Sequence, residues 1–183
     1  MKVALMNYSG NVGKSTAAKH VFAPRMPDSK IFSIESINSD GSGNDDMTRG
    51  KKFFDTVAEM ERYENSIADV GSSNIEEVLK AMSRFPGWHE DFDYIVVPTI
   101  PMPKQLRDTI ATIDALAEQG VPASKIRVWF NQLDEKSEIE DRFASIFKYH
   151  RADKNSRCDL APSSKKIRCF RSCRTRRRAS LRF

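Results

Sequence analysis

A lysine that follows a glycine and precedes two hydroxyl residues, directly after an apolar run, is placed to hold phosphate. Near the start of the chain stands Asn7-Tyr8-Ser9-Gly10-Asn11-Val12-Gly13-Lys14-Ser15-Thr16. Small residues in such a turn let backbone N–H groups converge on phosphate oxygens, and a helix opening at its end adds partial positive charge. Lys14 can reach the β- and γ-phosphates, and the Ser15 hydroxyl can ligate Mg²⁺. Ser9, Gly10, Asn11, Val12, Gly13 and Thr16 complete the expected cradle. The usual loop reads G-x-x-x-x-G-K-[ST], and here its first glycine position holds Tyr8. The plainer alternative is a strand–helix turn with an incidental Gly-Lys-Ser. The position in the chain and the flanking pattern both argue against it.

Other chemistry-bearing residues give weaker patterns. His20, His89 and His150 are far apart and lack metal-ligand spacing. They read as surface or helix-end histidines. Cys158, Cys169 and Cys173 are followed by no histidine, so zinc is not expected. The G-x-S-x-G signature of a serine hydrolase is absent. Trp129 reads as a strand residue, either in the core or on an exposed strand face.

A phosphate loop needs a strand before it and a helix after it, and the pattern supplies both. Val3–Met6 reads as a strand, and Ser15 to Phe22 as a helix closed before Pro24. Lys30–Ile34 is the next strand candidate, and Asn38–Asn44 a polar loop. Residues 50–63 and 75–84 read as helices, the first with Phe53, Val57 and Met60 in register, the second with Ile75, Val78, Leu79 and Met82. Between them Ser66-Ile67-Ala68 is a short strand ending at Asp69. Tyr94–Val97 is a continuous apolar run of the kind that both-face burial produces, and Pro98 is expected to stop it. A helix over 104–119 presents Leu106, Ile110, Ile113 and Ala117, with Gly120 where a left-handed terminus is expected. Ile126–Phe130 is a further strand, and 134–148 a further helix. Strand–helix alternation of this kind predicts an α/β fold, a mainly parallel central sheet with helices on both faces.

These segments together resemble the deviant Walker P-loop ATPases, the ParA/MinD group of partitioning and positioning proteins. That group's loop reads G-K-G-G-x-G-K-[ST]. Gly10, Gly13, Lys14 and Ser15 match it; Tyr8, Ser9 and Asn11 replace the first glycine, the signature lysine and the third glycine. Residues 63–73 resemble the group's strand that ends in an acid beside the γ-phosphate, which would make Asp69 a Mg²⁺ residue acting through water. Residues 93–101 resemble its next strand, which ends in a proline-containing turn. Val128-Trp129-Phe130-Asn131 resembles the strand whose final Asn contacts adenine. Within the group the chain looks closest to the StbB type of plasmid stability protein, and the likeness covers about residues 1–150.

The resemblance implies a P-loop NTPase that binds ATP with Mg²⁺ and hydrolyses it slowly, with Lys14 and Asp69 as the catalytic pair. It implies a role in plasmid stability, partition or DNA positioning, with DNA or a DNA-binding partner protein and a homodimer as partners. Ser9 cannot supply the lysine that reaches across the group's dimer. In the group's acidic switch, Glu35-Ser36-Ile37-Asn38 keeps only the first acid, with Asp40 as a stand-in for the second. Two rival classes remain. A small-molecule kinase needs an arginine-rich lid, and residues 1–150 show no such cluster. A non-enzymatic nucleic-acid-binding or adaptor protein would use the basic tail instead.

At 183 residues and 39% hydrophobic, the chain can bury a core, and no stretch approaches a membrane span. The N-terminus lacks the apolar core of a signal peptide, and three cysteines without a framework fit a reducing cytoplasm. Charge divides the chain in two: residues 1–150 carry −5, and residues 151–183 carry +10, with twelve Lys/Arg against Asp153 and Asp159. The tail lacks apolar periodicity and reads as a basic, disordered segment. Arg, Ser and Cys rise together there, as in out-of-frame translation of a GC-rich gene. A phosphate-binding nucleic-acid arm and a partner-binding tail are the alternatives.

Overall fold

The five apolar runs become five strands: β1 (Lys2–Leu5), β2 (Lys30–Ile34), β3 (Ser66–Val70), β4 (Tyr94–Thr99) and β5 (Ile126–Phe130). A computed structural model of the chain describes residues 1–34, 45–84, 87–133 and 138–152, with backbone alone over 45–52. The strands form one sheet in the order β2-β3-β1-β4-β5, and every pairing is parallel. This is an α/β fold, as the alternation predicts.

Helices cover both faces unequally. Alternate residues of each strand point to opposite sides. Ala4, Phe32, Ala68, Ile95, Val97, Ile126 and Val128 belong to the larger core. There they meet α2 (Asp45–Met60), α3 (Ile75–Met82), α4 (Pro103–Glu118), α5 (Ile139–Arg142) and α6 (Ala144–Ala152). The other face presents Val3, Leu5, Ile67 and Val96 to Ala17, Ala18, Phe22 and Met26. Those four residues come from α1 (Lys14–Ala17), its π-helical continuation Ala18–Phe22, and the turn after it. No helix among the described residues is long and apolar enough to cross a membrane.

Several boundaries differ from the sequence reading. The first helix does not close before Pro24: a 3-10 turn carries it through Ala23–Arg25. The π-helical stretch lets Ala23 N–H bond back to Ala18, and Pro24 follows within the first turn of the next segment, where a missing N–H costs nothing. Helix 50–63 is Asp45–Met60. Residues 134–137 lie outside the described residues, and the rest of the helix expected over 134–148 is broken at Phe143. That residue leaves helical geometry and buries its ring against Phe130, with centroids 4.7 Å apart. Gly120 does take the left-handed conformation, φ 83°. Val121 N–H then bonds Leu116 C=O at 3.1 Å and Gly120 N–H bonds Ala117 C=O at 3.0 Å, closing α4.

Pro98 does not stop β4, which runs on to Thr99. In a parallel ladder, alternate residues turn both backbone groups to the same neighbour. Val96 C=O accepts Met6 N–H on the β1 side, and Thr99 C=O accepts Asn131 N–H on the β5 side. Pro98 therefore faces β1, whose pairing with β4 ends at Leu5 opposite Val96. The N–H that proline lacks has no ladder position to fill there.

Candidate functional site

The loop between β1 and α1 lies at the carboxyl edge of the sheet, where chains of this architecture open a crevice beside a reversal of strand order. β1 is central: the chain leaves it for β2 on one side and later places β4 on the other. Gly13 takes φ 94° and Asn11 φ 57°, so the loop turns sharply into the helix. Gly13 offers no side-chain cap, and the first helical bond is Ala17 N–H to Gly13 C=O at 2.8 Å. The N–H groups of Lys14, Ser15 and Thr16 precede that bond, so no helical carbonyl serves them. Gly10, Asn11, Ser15 and Thr16 are exposed, while Ser9, Val12 and Lys14 are buried.

Lys14 folds back into the loop. Its Nζ donates to Ser9 C=O at 2.8 Å and to Asn7 C=O at 3.2 Å, and the residue is 8% exposed. Burial pushes its ammonium below the ordinary lysine value, and the Asp69 carboxylate offsets part of that. Asp69 stands at the end of β3, in register with Leu5 of β1 and Ser33 of β2. It is 6% exposed, and no described residue hydrogen-bonds its carboxylate. A carboxylate in that position is costly unless a cation or donor compensates it.

The structure also supplies residues that spacing did not reveal. Asn7 is fully buried. Its Oδ1 accepts Ser9 N–H at 2.7 Å, and its Nδ2 donates to Pro98 C=O at 2.7 Å and to Thr109 Oγ1 at 2.9 Å. The carbonyl that β1 leaves unpaired on β4 is thus met by a side chain of the loop. Tyr8 N–H donates to Thr112 Oγ1 at 3.1 Å. The Ser9 hydroxyl donates to Asp108, which also receives Lys104 Nζ at 3.1 Å. The Ser9 hydrogen bond is the main reason the Asp108 carboxyl lies below its ordinary value. Ser9 is therefore turned toward α4, and its carbonyl holds Lys14.

The buried face of α4 is consequently not the one that apolar spacing suggested. Thr109, Thr112, Ile113 and Leu116 are buried, while Leu106, Ile110 and Ala117 are only half-buried. Thr109 and Thr112 return hydroxyl bonds to Gln105 and Asp108 C=O, each at 2.7 Å, so their oxygens are free to accept from the loop. Two threonines three residues apart beside an aspartate were the available signal. An apolar-only count passes over them.

Asn131 is brought against the loop from β5. Its Nδ2 donates to Val12 C=O at 3.1 Å, and its Oδ1 accepts Gln132 N–H at 2.9 Å. A Cβ on Gly13 would lie 2.5 Å from Asn131 Nδ2 and 3.9 Å from the Trp129 ring. Trp129 is half-buried on the smaller face. Lys14, Asp69 and Asn131 thus converge on one loop from three different strands.

The acidic switch at Glu35, Ile37 and Asp40 lies outside the described residues, as do residues 153–183 with Cys158, Cys169 and Cys173. Among the described residues no group of three or more His, Cys, Asp or Glu could hold a metal. Mg²⁺ does not require one, since it commonly keeps several waters and takes one or two carboxylates plus phosphate oxygens. No protein-family model matches the chain, and no curated protein matches it.

Proposed function

We propose that the chain is a P-loop protein that binds Mg-ATP and hydrolyses it slowly, of the ParA/StbB kind. The observation that carries this reading is the pairing at the loop: a buried lysine inside it and, beside it, a buried carboxylate that no described residue bonds. Gly10 to Thr16 would cradle the phosphates, and Ser15 and Asp69 would hold Mg²⁺. The ion would neutralise charge between the phosphates and draw the leaving oxygen's negative charge. Asn131, fixed against Val12 and Gly13, would border the base. Action on plasmid stability or DNA positioning, through DNA, a DNA-binding partner or a homodimer, is supported by the sequence resemblance.

Titration calorimetry of the full chain and of Lys14→Ala with Mg-ATP tests the reading. Micromolar binding by the full chain, lost in Lys14→Ala, is the expected result. No binding by a well-folded full chain would overturn it in favour of the adaptor reading. DNA binding by the +10 segment 151–183 would then weaken steeply with salt and be indifferent to Lys14→Ala.

A further inference from the structure

One hydroxyl at the loop has no part in the site as described. Ser72 opens the 3-10 turn Ser72–Asn74, three residues beyond Asp69. A Cβ built on Gly10 would come within 3.4 Å of Ser72 Oγ. Gly10 has no positive φ, so its backbone does not demand glycine. What the missing side chain leaves open is the line between the loop and Ser72. Ser72 is half-buried, and no described residue hydrogen-bonds its hydroxyl. Its turn is fixed from the sheet side: Gly71 N–H and Asn74 Nδ2 both donate to Ile34 C=O at 3.0 Å, and Asn74 N–H bonds Gly71 C=O at 3.0 Å. The hydroxyl is therefore pre-positioned, and little ordering entropy opposes its use. Beside it stands Asp69, more than nine-tenths buried and without a hydrogen-bond donor among the described residues. Two unmet oxygens facing one loop fit a ligand that brings both a cation and a phosphoryl group.

We propose that Ser72 is a specificity-determining residue that recognises the terminal phosphoryl group of a nucleoside triphosphate, or a water on its cation, and so sets the preference for triphosphate over diphosphate. The assignment rests on the nucleotide reading above. Lys14 acts from inside the loop and Ser72 from the β3 side. The diphosphate, lacking the terminal group, gives Ser72 nothing to bond.

The test is calorimetry of the full chain with Mg-ATP and Mg-ADP, for the parent, Ser72→Ala, Ser72→Thr and Gly10→Ala, with circular dichroism to verify each fold. Loss of one hydrogen bond to a charged oxygen predicts a roughly tenfold or greater weakening of ATP binding in Ser72→Ala, with ADP binding unchanged. Ser72→Thr keeps the hydroxyl and retains the parent's ATP preference. Gly10→Ala interposes a methyl group and loses that preference as Ser72→Ala does. If Ser72→Ala folds and leaves the ATP-to-ADP affinity ratio unchanged, the proposal is wrong. If Ser72→Ala does not fold, an unchanged ratio in Gly10→Ala overturns it equally. If the folded parent binds neither nucleotide, the nucleotide reading falls and this assignment with it.

Discussion

Asn7 commits its side-chain oxygen and both amide hydrogens to protein partners, on the loop, on β4 and on α4. Asn7→Ala removes three buried hydrogen bonds and strands the Pro98 carbonyl. A loss of about 2–4 kcal/mol is expected in urea unfolding, large for one side chain. Lys14 makes a different prediction. Its folded pKa is lowered, so the folded state binds fewer protons than the unfolded one between that pKa and the ordinary value. The burial penalty is fully present below the folded pKa and is relieved as pH rises through it. Lys14→Met should therefore lack the parent's gain in stability on the alkaline side. The difference between the two curves of unfolding free energy against pH reads this directly; curves that stay parallel into the alkaline range would show that burial does not perturb Lys14. For Asp108 the sign is opposite. Its lowered pKa gives stability present above the ordinary carboxylate range and lost as pH falls through the folded value. Carboxyl NMR titration of Ser9→Ala should show Asp108 returning upward, because the Ser9 hydrogen bond is the largest cause.

At the scale of elements, α4 clamps the loop as well as covering the sheet. Its Asp108, Thr109 and Thr112 hold Ser9, Asn7 and Tyr8. The two glycines of the loop should then respond differently to alanine. Gly13→Ala meets both a left-handed backbone and Asn131 Nδ2 at 2.5 Å, so it must displace Asn131 or unwind the entry to α1. A cost of at least ~1 kcal/mol is expected, whereas Gly10→Ala should unfold at nearly the parent temperature. Differential scanning of the two variants decides it; equal losses would mean the loop is held otherwise. Gly120 was legible as a helix terminus because a left-handed cap is a local requirement of chain geometry. Pro98 was misread because whether a missing N–H matters depends on which neighbour the residue faces and where that neighbour ends.

Over the whole molecule, the core extends from Val3 to Ile146, and α6 ends at Ala152. A chain ended after Ala152 is expected to unfold cooperatively within a few degrees of the full chain, and a broad, early transition would show that the core draws on later residues. The alternation of strand and helix, the parallel sheet and the lysine-bearing loop were all readable from residues, because each rests on periodicity, turn chemistry or the order of neighbouring segments. Asp69 and Asn131 were named from resemblance and do stand at the loop. What the sequence left open was how the loop is held. Its anchors reach 91 residues from Asn7 to Pro98 and 119 from Val12 to Asn131. Those distances are closed only by the strand order that puts β1 between β3 and β4, with β5 beyond. Local spacing does not encode that order. It follows from how the buried faces pack, so the polar clamp on α4, the contact of Asn131 with Gly13 and the line from Gly10 to Ser72 were decided by tertiary structure alone.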